Sequence, residues 1–178
     1  MLGAHDIVDF WRDAGPKKWF GGGAAFDREC ESKMYDAHFA AALRALDSWM
    51  ENAQGALALQ ILLDQVPRNI FRGTAHCYAT DPLARNFARQ AIEAGFDAQT
   101  DADLRVFFYL PFEHSEDLHD QEYSLQLHGA LPGPNGDMWA KKHYEVIRRF
   151  GRFPHRNNAL GRTSTPAELK YLNEGGGF

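Results

Sequence analysis

The sequence predicts an all-α protein, because apolar residues recur at three- and four-residue spacing in several segments. These segments are separated by proline, glycine and capping residues of the kinds that start and stop helices. We count about seven helices and find no convincing strand. The chain has 178 residues, of which 44% are hydrophobic, and this suffices for one sizeable core. Because no linker is visible, we predict a single domain over residues 1–178 with a flexible, glycine-rich tail at 174–178.

Two helices are predicted in the N-terminal part. An apolar cluster over residues 7–11 forms the first, and Gly15-Pro16 ends it. A loop is predicted over 19–23. The second helix begins near Asp27, a good N-cap residue. Its predicted inner face is a stripe at helical spacing, made of Tyr35, Phe39, Ala42, Leu46 and Met50.

Two more helices are predicted in the middle of the chain. The first is a compact apolar helix over 55–65, which Pro67 ends. Its inward residues are Leu57, Ile61 and Leu62. The next starts at Asp81-Pro82, a cap residue followed by proline at the first helical position, and stops at Gly95.

The run over 106–110 is rich in strand formers, but its neighbours are helical, so we predict a helix that Pro111 breaks. A polar helix follows from about 113 to 127, and then a loop over 132–136. Asp137 is expected to cap a helix that Gly151 stops.

The last predicted helix begins with a capping box, in which Thr165 is the N-cap and Glu168 the partner three residues later. Leu169 and Leu172 are expected to dock this helix on the core.

Composition excludes several classes of function. The net charge of −5 and the pI near 5.9 give no electrostatic support for binding nucleic acid or an anionic membrane. His5 and Asp6 interrupt any signal-peptide core, so we expect a cytoplasmic protein. Cys30 and Cys77 lie in no CxxC pair, and we expect both to be buried thiols. The oligomeric state is not indicated.

Polar residues share the predicted inner faces of three helices. Asp64 and Gln65 continue the inward positions of the helix over 55–65. His114 and Gln121 share a stripe with Leu118, which we expect to be buried between them, and Leu125. His143 lies between Trp139 and Val146-Ile147 on an inner face. Burying such groups costs several kcal/mol unless they are paired, so they need partners.

Two similar elbows offer those partners. Residues 67–74 and 154–163 each follow an apolar helix and each contain proline, arginine and asparagine. The segment 148–162 has five arginines and no acid, whereas 113–122 has five acids and no lysine or arginine. One interpretation is that these segments form salt bridges that hold the fold together. The other is that surplus arginine and histidine side chains line a polar site where the elbows and the polar helix meet.

We expect no metal site and no cofactor. Glu116 and His119 have the E-x-x-H spacing of di-iron bundles, but such sites need a second copy and two further glutamates. No G-x-S-x-G nucleophile motif is present.

Three long stretches resemble the bacterial domain-of-unknown-function family 924. They are 58–74 with Asp81-Pro82-Leu83-Ala84, then 110–122, and 149–166, which contains Arg149-Phe150-Gly151-Arg152-Phe153-Pro154-His155-Arg156-Asn157. The resemblance implies a fold of the tetratricopeptide-like superfamily, an array of antiparallel helical hairpins forming a superhelix. It supplies no catalytic residues.

Three hypotheses follow. The first is a binding module whose pocket or groove takes a peptide or a small anionic molecule. Its candidate ligand-binding residues are Asp64, Arg68, Asn69, Arg72, His114, Gln121, His143, Arg152, His155, Arg156, Asn157 and Arg162. The second is a hydrolase or transferase acting on a small acidic metabolite. His114 or His155 would be the general base, Glu116 or Asp64 would orient it, and Arg156 or Arg162 would bind the anion. The third is a purely structural polar network.

Overall fold

The computed structural model describes residues 2–132 and 136–178, and within these residues it contains helices and turns but no strand. The all-α prediction is therefore confirmed for the described residues. The α-helices are α1 (Ala4–Trp19), α2 (Gly23–Ala42), α3 (Ala53–Gln60), α4 (Val66–Ile70), α5 (Asp81–Glu93), α6 (Ala102–Arg105), α7 (Leu110–Glu113), α8 (Leu118–Gly129), α9 (Met138–Phe150) and α10 (Pro166–Asn173).

Short helical turns, tighter or wider than an α-helix, join several of these helices. The 3-10 turns are Asp47–Glu51, Ala75–Tyr78, Val106–Phe108 and Pro154–Arg156, and a π-helical turn covers Ile61–Gln65. No described helix is long and apolar enough to cross a membrane. Of the loop predicted over 132–136, residues 133–135 lie outside the described part of the chain.

The chain divides into two compact units. Unit 1 comprises residues 1–72 and 76–111, and unit 2 comprises 73–75 and 112–178. Unit 1 has an aromatic core in which the Trp11 ring lies 5.7 Å from both Phe26 and Phe107. Both cysteines are buried in this unit, as predicted.

Unit 2 is built on helix α9. Its buried residues Val146 and Ile147 form a core with Phe153, and Phe150 and Tyr171 pack against them. Helix α8 packs on α9, and α10 packs on the turn Pro154–Arg156. Gly151 ends α9 in the left-handed conformation, with φ of 68°, and the capping box of Thr165 starts α10, both as predicted.

Several predicted helix bounds are wrong, mainly at prolines. Pro67 does not end the apolar helix. The π-turn before it makes Val66 N–H donate to the Ile61 carbonyl, five residues back, and the helix continues through α4 to Ile70. Proline is tolerated there because it sits at the first positions of the new α turn, where its missing N–H matters least. Pro111 likewise lies inside α7.

Helix α1 shows a related difference. Gly15 breaks it with φ of 72°, as the sequence predicts, but the chain resumes as a helix through Trp19, part of the predicted loop.

The predicted inner stripe of α2 is also wrong. Tyr35 is 42% exposed, whereas the buried positions of α2 are Phe26, Cys30, Met34, Ala37, His38 and Ala41. The helix ends at Ala42, so the last two members of the stripe lie beyond it. The true inner face thus mixes Phe26 and Met34 with small residues and a buried histidine, whereas counting apolar residues at helical spacing favours the stripe with Tyr35 and Phe39.

The helix start predicted near residue 113 is wrong as well. Helix α8 begins at Leu118, after Asp117 caps it by accepting hydrogen bonds from two backbone N–H groups. His114 therefore lies in the turn between α7 and α8, not on the α8 stripe. Leu118, expected to be buried between His114 and Gln121, is 39% exposed.

Candidate functional site

Two arginines at the C-terminal elbow, one just before it and one within it, bind carboxylates inside unit 2. Arg152 donates from Nε and Nη2 to the two carboxylate oxygens of Glu168, at 2.7 and 2.8 Å. Arg162 donates from Nη1 and Nη2 to Glu116, at 2.7 and 2.9 Å, and also to the Phe153 carbonyl at 3.1 Å. Such bidentate pairs are the strong form of the arginine–carboxylate contact. These two side chains hold the elbow together.

Asn157 links the two pairs. It is buried, accepts from Arg162 Nε at 2.9 Å and donates to Glu168 Oε2 at 3.4 Å. Hydrogen bonds from Arg152 lower the pKa of Glu168 to about 2. Burial by itself raises the pKa of Glu116, but hydrogen bonds from Arg162 and the Phe153 N–H outweigh it, so the net shift is downward. Both carboxylates stay ionised at neutral pH.

The predicted site residues of unit 1 form a separate network. Arg68 donates to both oxygens of Asp81, at 2.8 and 2.9 Å, and to the Asp64 carbonyl at 2.6 Å. Its Nη1 also lies 3.2 Å from the carboxylate of Asp64, which is 1% exposed. Asn69 donates to the Gln65 carbonyl. The burial of Asp64 and Gln65 is as the sequence predicts.

Arg72, the last predicted site residue of unit 1, pairs with Asp27 at 3.0 Å and is 63% exposed. That the two elbows and the polar helix meet at one site stays a prediction.

A cluster of histidines around Glu113 lies elsewhere in unit 2. The Glu113 carboxylate is 5% exposed, and its two oxygens lie 3.3 Å from His143 Nδ1 and 3.4 Å from His128 Nε2. His114 joins them, because one donor atom from each of Glu113, His114 and His143 lies within 4.8 Å of the others. We call Glu113, His114, His128 and His143 the histidine cluster.

The turn that carries His114 is held by Gln121. This side chain is fully buried, and its Nε2 donates to the carbonyls of Glu113 at 2.6 Å and Ser115 at 2.7 Å. Ser115 Oγ donates in turn to Asp120 at 2.7 Å. Gln121, predicted to bind ligand, therefore holds the backbone on both sides of His114.

His143 is a neutral imidazole at physiological pH. Burial, and then the nearby His114, lower its pKa to about 3. Its Nδ1 lies 2.9 Å from the Trp139 carbonyl, one helical turn earlier on α9. Burial also lowers the pKa of His128. The prediction that His143 faces inward is confirmed, but Trp139, predicted to share that face, is 53% exposed.

Aromatic rings cover one side of this cluster. The Phe178 ring stacks on the His143 imidazole, with 3.7 Å between centroids and 12° between planes. Phe153 packs edge-on against His143 at 5.5 Å, and His155 lies 5.7 Å from Phe178. The Arg156 guanidinium lies 4.5 Å over the Phe153 ring. The tail over 174–178, predicted to be flexible, thus places an aromatic ring on His143.

A shallow groove of about 380 Å³ lies between α9 and α10. Two of the charged residues that line it, Glu145 and Arg148, pair with each other at 2.8 Å. The groove contains none of the predicted site residues.

The E-x-x-H pair of the sequence is not brought together. Glu116 binds Arg162, whereas the His119 side chain is 93% exposed and lies near Glu122. Sequence reasoning missed Glu113, His128, Phe153 and Phe178. The signal for Glu113 was present, because it is adjacent to His114 and ends a buried aromatic run.

The bacterial protein family of unknown function DUF924 matches residues 7–176 of the chain. The chain belongs to this family. A solved structure, that of the protein of unknown function ATU0120 from Agrobacterium tumefaciens, is 56% identical in sequence. The match covers 96% of this chain and 97% of that chain, with a TM-score of 0.93. A comparison with curated proteins finds no match.

Membership of DUF924 confirms the resemblance seen in the sequence. Because both the family and the solved structure are described as being of unknown function, the comparisons assign no activity. Any proposal for function has to come from the side chains of the site.

Proposed function

We propose that the protein is a binding module whose site lies over His143 in unit 2 and takes a small anionic molecule that carries a flat ring. The observation that carries this proposal is the stacking of Phe178 on His143 at 3.7 Å. It shows that the imidazole face, with Phe153 beside it, accepts a planar ring. Ligand sites commonly combine such apolar walls with a few convergent polar groups.

The preference for an anion comes from the charges nearby. Burial and the nearby His114 lower the pKa of His143 most, and the positive charge of Arg156 lowers it further, so that charge acts at the imidazole. The Arg156 guanidinium lies over the Phe153 ring, which itself packs edge-on against His143. We call the face of His143 on which Phe178 stacks, with Phe153 beside it, the ring recess. A guanidinium near this recess can bind a carboxylate or a phosphate carried by the ligand. The predicted peptide ligand fits this site as an aromatic side chain next to an acidic group.

The ring recess is tested by removing the ring that covers it. Phe178→Ala should bind benzoate or phenyl phosphate more tightly than the wild type, because the added ring no longer competes with Phe178. Isothermal titration in the presence of a metal chelator measures both Kd values. Phe20→Ala, which removes a phenylalanine that is 66% exposed in unit 1, is the matched control and should equal the wild type. Equal affinity of all three proteins for both probes, or no binding by Phe178→Ala, would contradict the proposal.

An enzyme remains the second candidate, and a specific observation favours it. Glu113 lies 3.3 Å from His143 Nδ1, the arrangement of a carboxylate that orients a general base. This pair replaces the predicted use of Glu116, which is bound to Arg162. A hydrolase and transferase screen of the wild type, His143→Ala and His119→Ala tests it. Activity that His143→Ala retains in full would remove this candidate.

We also propose that the helices pack as antiparallel hairpins of the tetratricopeptide-like kind, and that the protein works in the bacterial cytoplasm. The packing of α8 on the next helix, α9, supports the first statement. The bacterial family and the acidic net charge support the second. The same net charge of −5 supports a ligand other than nucleic acid or an anionic membrane.

A further inference from the structure

We propose that Glu113, His114 and His143 bind one divalent first-row transition metal ion, with Zn²⁺ as the reference ion. The site goes beyond the proposed binding of an anionic ligand and does not depend on it. The sequence argued against a metal through the missing CxxC pair and through the E-x-x-H spacing of Glu116 and His119, and none of those residues belongs to this trio.

The donor set fits such an ion. Two imidazoles and one carboxylate are common ligands of Zn²⁺ sites that keep a coordination position open. The three donor atoms lie within 4.8 Å of one another. Around a tetrahedral Zn²⁺ with bonds of about 2.1 Å, neighbouring ligands are about 3.4 Å apart. Side-chain rotation of the order of 1 Å therefore closes the trio, and His114 is its half-buried member.

The surrounding contacts resemble the supports that hold metal ligands in place. His143 Nδ1 lies 2.9 Å from the Trp139 carbonyl, and a hydrogen bond donated there leaves the ring's lone pair on Nε2. His128 Nε2 lies 3.4 Å from Glu113 Oε2, and its own Nδ1 lies 2.9 Å from the Ser124 carbonyl. Gln121 holds the backbone on both sides of His114, as described above. These contacts hold the Glu113 carboxylate, the His143 ring and the backbone that carries His114.

Charges of both signs act on a cation at this site. The Glu113 carboxylate supplies one negative charge. Arg156 and His155 lie close enough to act electrostatically on His143, and a cation is repelled by the guanidinium. We therefore expect affinity in the micromolar range, well below that of a structural zinc site, with an anion favoured in the open position.

The test uses the full chain, stripped with a chelator, dialysed, and titrated with Zn²⁺ in competition with a chromogenic chelator. We expect one ion per chain. His114→Ala and His143→Ala should each bind about tenfold more weakly, or worse. Co²⁺ should give a visible d–d spectrum from nitrogen and oxygen ligands, without the thiolate charge-transfer band that Cys30 or Cys77 would add. His119→Ala, which removes a histidine whose side chain is 93% exposed, should match the wild type.

Three outcomes would overturn the site: no binding by the wild type at 100 µM Zn²⁺ (roughly a hundredfold above the expected Kd), unchanged binding by His114→Ala, or loss of binding in His119→Ala. His114 is half-buried and lies in a turn, so its variant is expected to fold, and circular dichroism checks this. If buried His143→Ala fails to fold, His114→Ala alone decides. No anionic ligand is present here, and the benzoate titration contains a chelator, so failure of one proposal is distinguishable from failure of the other.

Discussion

The two proline-arginine-asparagine elbows contain the same residue types, but their arginine–carboxylate pairs differ in how far they are exposed to solvent. In unit 1, Arg68 serves two acidic side chains at once, and these are 1% and 7% exposed. In unit 2, Arg152 and Arg162 each serve one carboxylate, and the Arg162 pair is 23% and 28% exposed. At the first elbow, Arg68 binds two buried carboxylates. At the second, two partly solvated ion pairs are linked by hydrogen bonds of Asn157.

This difference in burial separates a structural arginine from a candidate ligand-binding one. A guanidinium that neutralises two buried carboxylates stabilises the fold and does not bind a ligand, because the ligand would have to displace both carboxylates. The elbow of unit 2 carries two further residues, His155 and Arg156, that pack on the aromatic rings over His143. We therefore assign a structural role to Arg68, Arg152 and Arg162, whereas the proposed ligand site lies at His143 with Arg156 nearby.

The largest expected effect is at the first elbow. Arg68→Ala leaves Asp64 and Asp81 buried without their cation, and breaking a buried pair in this way costs about 4 kcal/mol. Urea unfolding followed by circular dichroism measures the loss. The matched control is Arg72→Ala in the same elbow, where a pair with a 63% exposed arginine should contribute less than about 1 kcal/mol. Similar losses in the two variants would remove the distinction between them.

A smaller loss is expected at the second elbow. Arg162→Ala removes a bidentate contact to Glu116 and a hydrogen bond to the Phe153 carbonyl. Because water reaches both partners, we expect about 2 kcal/mol, between the exposed and buried limits. Arg148→Ala, whose pair with Glu145 is more than half exposed on both sides, should cost less than about 1 kcal/mol. A loss from Arg162→Ala as large as that from Arg68→Ala would contradict the comparison of the two elbows.

Acid should weaken unit 2 through Glu168. Its folded pKa of about 2 lies below the ordinary value of 4.5, so its contribution is complete above pH 4.5 and is lost as the pH falls towards 2. We expect roughly 1–2 kcal/mol over that window, since Arg152 is partly solvated. Unfolding curves of the wild type and Glu168→Gln measure the difference. A difference in stability that does not shrink between pH 4.5 and 2 would show that Glu168 is not held ionised by Arg152.

The sequence predicted the fold class and the starts of α5, α9 and α10 to within about one residue, because caps and glycine stops are local signals, whereas α2 begins at Gly23, before the predicted Asp27. It failed where tertiary packing overrides local preference. Pro67 is accommodated by a π-turn, which has no simple sequence signature. The inner face of α2 was misassigned because apolar side chains occur on both sides of that helix, and only packing selects the stripe with Cys30 and Met34.

The buried polar residues of the site were predicted, but their partners were not, because partners depend on tertiary packing. Helical spacing correctly placed Asp64, Gln121 and His143 inward, and their burial implied partners. The identity of those partners depends on where the chain turns. Glu113 reaches His128 and His143 only because the turn before Leu118 separates α7 from α8, and spacing along one continuous helix does not contain that information.

The smallest expected effect is that of removing Leu169 from α10, a helix that leucine side chains were predicted to dock on the core. Leu169 is 49% exposed, so Leu169→Ala should change the free energy of unfolding by less than about 0.5 kcal/mol. Tyr171, two residues later, packs on the core of Val146, Ile147 and Phe153, and Tyr171→Ala should cost about 2 kcal/mol or more. Equal losses measured by urea unfolding would mean that leucine packing docks this helix. A loss confined to Tyr171 leaves the aromatic contact and the Glu168 pair as its anchors, so that α10, like the elbows, is held in part by charge.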